Sequence, residues 1–171
     1  MAVPDYQSIM LPLLKQLSDG KTYTTRDIIE SLSKLFNLTA TDRKELLPSG
    51  QQYTFDNRVG WARTYLKKAG LIESDKRGTQ KISSKGLEVL KTSPKFINIA
   101  FLQQFPEFVE FKSQKNITKT LENERTVGVA DETPEEIIEE KFSAISNDLA
   151  EELLKSLKLC TPEFFEMLVI D

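Results

Sequence analysis

From Phe55 to Ala69 apolar side chains recur at helical spacing, and at Gly70 that period stops and a shorter one begins. At 100° per residue, Phe55, Val59, Ala62, Leu66 and Ala69 fall on one narrow stripe, with Tyr65 beside it. Gly70 suits the left-handed position that ends a helix. Beyond it, Leu71-Ile72-Glu73 and Thr79-Gln80-Lys81-Ile82 read as two short strands around a charged turn, Ser74 to Gly78. Two short strands cannot bury a core by themselves. The hairpin must therefore fold back on the long helix and on whatever precedes it.

Three helices and one extended piece are expected before the long helix. The first runs from about Pro4 to Leu17, with Ile9, Leu13, Leu14 and Leu17 at helical spacing and Pro4 in its first turn. Pro12 lacks the N–H that a helix interior needs, so it predicts a kink or a break. Asp19-Gly20 makes a turn, and Lys21-Thr22-Tyr23 is a short extended stretch. Thr24 and Asp27 have the spacing of a capping box for a second helix carrying Ile28, Ile29, Leu32, Leu35 and Phe36. Thr39 and Asp42 cap a short third helix ending at Leu46-Leu47, before the loop Pro48-Ser49-Gly50. After the hairpin, Ser83 caps a helix with Leu87, Val89 and Leu90, and Ile97–Leu102 and Pro106–Phe111 give two more short helices. Helix, strand, helix, longer helix and hairpin follow the order of a winged helix-turn-helix. The fold class expected is mainly α, a winged helix-turn-helix with a small β-hairpin wing, followed by a long C-terminal helix.

Charge divides the chain where periodicity does. Residues 1–112 hold 17 Lys/Arg against 12 Asp/Glu, and residues 113–171 hold 6 against 14, so the net charge of −3 conceals a basic front and an acidic back. Four segments result: a winged-helix domain over 1–112, a linker over 113–133, an amphipathic connecting helix over 134–158, and a further helical start over 159–171. Thr133-Pro134-Glu135-Glu136 is an N-cap, a proline at the first helical position and acids in the first turn. Ile138, Phe142, Ile145, Leu149, Leu153 and Leu157 then lie near one face. Thr161-Pro162 precedes Phe164, Phe165, Leu168, Val169 and Ile170, an apolar helix that stops after two turns. Such a face calls for a cover, which makes residues 134–171 a candidate surface for association between copies.

There is no histidine and one cysteine, Cys160. Ser-His-Asp and Cys-His nucleophiles, His-ligated metals, internal disulfides and Cys-based zinc sites are thereby excluded. No uncharged apolar run approaches the ~20 residues of a membrane span. The expectation is a soluble, cytoplasmic protein without catalytic, metal or cofactor residues in this chain. Asp42-Arg43-Lys44 and Glu139-Glu140-Lys141 fit an acid-x-Lys pattern, but both fall in expected helices, whereas a Mg²⁺-binding nuclease site needs a strand.

The function-bearing feature is the outer side of the long helix. Opposite its apolar stripe stand Asn57, Gly60, Thr64, Lys67 and Lys68, with Arg63 on one flank. In a helix-turn-helix such a face enters the major groove, where Asn and Arg read base edges and Lys meets phosphate. Lys76 and Arg77 at the hairpin tip would track the backbone or the minor groove. The partner expected is double-stranded DNA, and the residues expected to bind it are Asn57, Arg63, Thr64, Lys67, Lys68, Lys76 and Arg77.

Several stretches resemble the N-terminal domain of Mrr-type restriction endonucleases: Val3-Pro4-Asp5-Tyr6, Met10-Leu11-Pro12-Leu13-Leu14, Leu46-Leu47-Pro48-Ser49-Gly50, Phe105-Pro106-Glu107-Phe108, and above all the block from Phe55 to Leu71. The resemblance covers residues 3–112. It implies the winged-helix domain of a restriction system directed at modified, typically methylated, DNA. Leu159-Cys160-Thr161-Pro162-Glu163-Phe164-Phe165-Glu166 is similar to the first helix of that family's nuclease domain, whose acidic and lysine residues, and with them Mg²⁺, belong to a part beyond Asp171. On this reading the chain binds DNA and lacks the catalytic core. Two rivals stay open: a stand-alone winged-helix transcriptional regulator dimerising through its C-terminal helices, and a protein-docking winged helix with no nucleic-acid role.

Overall fold

The computed structural model describes residues 3–117, 132–159 and 164. It divides into two compact units, residues 1–133 and 134–171.

In the first unit, α1 (Tyr6–Gln16) is started by Asp5, whose carboxylate accepts from the backbone N–H groups of Gln7 (2.8 Å) and Ser8 (2.9 Å). Pro4 therefore precedes the cap instead of occupying the first turn. The helix runs on through Pro12 without a break in its assignment. Ile9, Met10, Leu11, Leu13 and Leu14 around that proline are all buried, so packing offsets the hydrogen bond it cannot make.

Strand β1 (Tyr23–Thr24) leads into α2 (Thr25–Leu35) through a complete capping box of Thr24 and Asp27. Asn37 ends α2 at φ 52°, its N–H on the Lys34 carbonyl and that of Leu38 on the Ser33 carbonyl, the paired arrangement of a Schellman cap. A second capping box, Thr39 with Asp42, opens α3 (Ala40–Arg43). That helix does not reach Leu46-Leu47 as expected. The chain turns instead: Leu46 bridges Tyr53, the Leu47 N–H bonds the Gln52 carbonyl (2.9 Å), and Gly50 takes φ 70°. The turn residues Pro48-Ser49-Gly50 close this loop locally and outcompete a helical continuation.

Helix α4 (Thr54–Lys68) is the centre of the unit. Phe55, Val59, Ala62, Leu66 and Ala69 are fully buried, the stripe read from the sequence. Its end is a Schellman cap on Gly70 (φ 72°), with Gly70 N–H to Lys67 and Leu71 N–H to Leu66. Strands β2 (Ile72–Glu73) and β3 (Thr79–Ile82) follow, and the sheet has the order β1-β3-β2, antiparallel throughout. Tyr23 pairs with Gln80 and Ile72 with Ile82.

Helix α5 (Ser84–Lys91) begins where Ser83 accepts the Gly86 N–H and donates to the Gly70 carbonyl (2.6 Å). Gly86 is required there, since a Cβ would lie 2.2 Å from the Leu71 carbonyl oxygen. α6 (Ile99–Leu102) and α7 (Pro106–Ile117) close the core, with Tyr65 and Phe108 meeting edge to face at 5.8 Å. Lys85 on α5 pairs with Glu107 on α7. α7 extends beyond Phe111 into the stretch read as linker, and residues 118–131 of that stretch lie outside the described residues.

The second unit contains α8 (Pro134–Lys158), with its proline at the first helical position as expected. Ile138, Phe142 and Ile145 are 67%, 70% and 66% exposed. Of the last apolar segment only Phe164 is described, and it is exposed.

Candidate nucleic-acid interface

The outer side of α4 is flanked on one edge by α2 and on the other by α7, and the sequence-predicted residues divide between those edges and its middle. On the α2 edge, half-buried Arg63 donates from Nη1 to the Thr25 hydroxyl at 2.7 Å. Burial draws its guanidinium below the ordinary arginine value. Thr25 in turn donates its hydroxyl (3.1 Å) and its backbone N–H (2.9 Å) to the carbonyl of Gly78, at the base of the wing. One threonine thus ties the start of α2, the long helix and the wing together. Asp56, the acid on this edge, is held by Arg43 at 2.7 Å, and the same guanidinium lies 5.2 Å from the Phe55 ring centroid. Thr25, Arg26, Ile29, Glu30, Arg43 and Asp56 line a shallow depression of ≈ 540 Å³ along this edge.

Asn57 is not on an open face. It is 4% exposed, donates from Nδ2 to Gln52 Oε1 (3.1 Å) and accepts from the hydroxyl of fully buried Thr133 (2.8 Å). Helical periodicity placed it outward, but a wheel cannot register a residue 76 positions away that returns to cover it. Thr64 is half-buried and turns its hydroxyl back to the Gly60 carbonyl (2.9 Å), the usual resort of a threonine inside a helix. Lys67 and Lys68 are exposed. Lys68 has its ammonium 4.8 Å from the Phe111 ring centroid, a cation–π contact with α7. Trp61 is half-buried, 5.3 Å from the Tyr65 ring.

Lys76 and Arg77 in the wing are exposed. Its tip is nonetheless ordered from within. Ser74 Oγ donates to the Thr79 carbonyl (2.6 Å), Thr79 Oγ1 accepts from the Lys76 N–H (3.2 Å), and Gly78 takes φ 82°. The structure therefore brings Arg63, Thr64, Lys67 and Lys68 onto one helix side, ties that helix to the base of the wing, and withdraws Asn57. Sequence reasoning missed Thr25, Arg43 and Thr133. Thr25 opens a helix directly after a capping box, and nothing in its local pattern signals a tie to Arg63 and Gly78.

Among the described residues no group of three or more His, Cys, Asp or Glu side chains is placed to hold a metal ion. The two acid-x-Lys triplets lie at α3 and in α8, outside any strand.

Helix, strand, two helices and a longer helix, closed by a three-stranded antiparallel sheet with an exposed basic hairpin tip, define a protein of the winged-helix kind. The chain belongs to the Mrr N-terminal domain family, whose model matches residues 6–92. It is 25% identical over its whole length to the type IV methyl-directed restriction enzyme EcoKMrr of Escherichia coli (strain K12), and it spans 58% of that relative's length. No solved structure matches the chain. The chain is thereby related to a restriction system. No helix among the described residues is long and apolar enough to cross a membrane.

Proposed function

We propose that the first unit binds double-stranded DNA, with the outer side of α4 facing the major groove and the wing lying along the backbone. The observation that carries this reading is the tie through Thr25, which links cationic Arg63 on α4 and the carbonyl of Gly78 beside exposed Lys76 and Arg77. A basic helix and a basic hairpin held at a fixed separation suit two adjacent tracks of a duplex better than a random solvated surface does. Kinship with a methyl-directed restriction enzyme supports methylated DNA as the target and the bacterial cytoplasm as its place of action. Lys67, Lys68, Lys76 and Arg77 meet phosphate, while Arg63 and Thr64 lie nearest the base edges. Asn57 reaches a base only if the Thr133 hydroxyl gives way.

The test is an affinity series over salt, using the full chain and a short duplex in methylated and unmethylated forms. Lys76→Ala with Arg77→Ala weakens binding to all duplexes alike and lowers the magnitude of the salt slope by about 0.9 per lost phosphate contact. Arg63→Ala costs about 1–3 kcal/mol on the preferred duplex and little elsewhere. A parent protein that binds neither duplex at low salt removes this reading and moves the protein-docking winged helix to first place.

The exposed stripe of α8 favours pairing between copies, the feature shared with the regulator reading. Ile138, Phe142, Ile145, Leu149 and Leu153 along it are each more than half exposed. Concentration-dependent sedimentation that Phe142→Glu abolishes supports it; a monomer at every concentration and salt removes it.

A further inference from the structure

Gly60 stands in the interior of α4, on its outer side, and a Cβ built there meets no described atom within 4 Å. Its φ is not positive, so the backbone does not require glycine. Among the described residues nothing packs against that Cβ position, in contrast to Gly86, where the carbonyl of Leu71 forbids any side chain. The fold by itself would therefore be more stable with alanine at this position. One turn further along the same side, Thr64 withdraws its hydroxyl onto the Gly60 carbonyl. Lys67 lies beyond it, exposed. Among the described residues, the side of α4 at Gly60 therefore carries no side chain, between Asn57, which Thr133 covers, and the cationic residues towards the C-terminal end.

We infer that Gly60 is the point of closest approach between α4 and its duplex, a steric requirement set by the ligand and not by the fold. The inference rests on the DNA-binding reading and adds a specificity-determining position to it. Bare backbone lets the helix sit deeper in the groove than any side chain would. A groove edge or a base substituent then packs against the Cα at van der Waals distance. Depth in turn decides whether Arg63 and Thr64 can reach base edges at all, since side chains one turn away move with the helix axis.

The experiment uses the full 171-residue chain with Gly60→Ala and Gly60→Leu, measured for thermal unfolding and for binding to the short duplex. Gly60→Ala is expected to raise Tm by about 2–4 °C, because a helix-interior glycine is replaced without a clash. The same substitution is expected to weaken duplex binding on the order of tenfold, and Gly60→Leu to weaken it further, in order of side-chain size. Raised stability with weakened binding separates a ligand requirement from a folding defect. Duplex affinity equal to the parent's in both variants overturns the inference while leaving the DNA-binding reading intact. A parent that binds no duplex overturns both together.

Discussion

The two units handle the same sequence pattern in opposite ways. In α4 the apolar stripe Phe55, Val59, Ala62, Leu66 is wholly buried, and in α8 the stripe Ile138, Phe142, Ile145 remains about two-thirds exposed. Both are amphipathic helices started by acidic first turns and ended by lysines. The difference lies in what each helix is given to pack against. α4 is surrounded by α1, α2, α7 and the sheet, so its apolar side chains each gain about 1.5–3 kcal/mol on leaving water. Apolar periodicity therefore specifies a helix and a face, and it is silent on whether the partner of that face lies in the same molecule.

The comparison is broken most directly by cutting into each stripe. Leu66→Ala removes a fully buried side chain from the centre of the first unit and is expected to cost about 2–5 kcal/mol. Ile145→Ala alters only the second unit and is expected to leave the stability of the first within about 0.5 kcal/mol. Trp61 is the single tryptophan and lies in α4. Its fluorescence in urea reads the first unit alone. An Ile145→Ala effect as large as that of Leu66→Ala would show that the first unit depends on α8 for its stability.

Gly86→Ala sharpens the same contrast within the first unit. Its Cβ would stand 2.2 Å from the Leu71 carbonyl oxygen and 2.7 Å from Ile82 Cγ1, backbone on one side and a buried branched side chain on the other. Neither can swing aside, so the expected loss is about 1–3 kcal/mol. Thr25→Val is milder for folding, about 1 kcal/mol for hydrogen bonds at a half-exposed site. It removes both bonds of the hydroxyl and so releases Arg63, while the backbone N–H at position 25 keeps its bond to the Gly78 carbonyl. Thr25→Ser restores both bonds, and rescue of duplex binding by serine but not valine identifies the hydroxyl as the positioning group.

What the sequence made legible follows the range of the interactions. Capping boxes at Thr24/Asp27 and Thr39/Asp42, the Gly70 stop and the wing hairpin are written within a few residues, and each appears where local chemistry put it. The length of α3 was misread because the loop-closing bonds between Leu47 and Gln52 compete with the helix over the same residues. Of the kink or break that Pro12 predicts, the break is absent for the opposite reason, a local penalty outweighed by core packing that only the tertiary fold supplies. Within the candidate site, the exposed cations Lys67, Lys68, Lys76 and Arg77 follow from periodicity and the turn. Asn57 does not, since the partner that buries it, Thr133, arrives from across the chain.

The smallest expected effect is on pH dependence, and it too separates the units. Asp27 accepts from the hydroxyl and the backbone N–H of Thr24, and these bonds hold its carboxyl below the ordinary aspartate value. Asp42 is lowered in the same way by the backbone N–H and the hydroxyl of Thr39. A depressed carboxylate pKa contributes stability that is present above the unfolded-state value and is lost as pH falls through the folded-state value. Both caps belong to the helices preceding α4, so acidification should first loosen the entries of α2 and α3. In a urea titration followed by Trp61, the parent is expected to lose stability gradually on descending through the acidic range. Asp27→Asn with Asp42→Asn flattens that slope, because an amide has no proton to gain. The double variant also starts lower at neutral pH, since asparagine answers the cap less strongly than a carboxylate at a helix N-terminus. An unchanged slope in the double variant would assign the acid sensitivity of the first unit to other carboxylates.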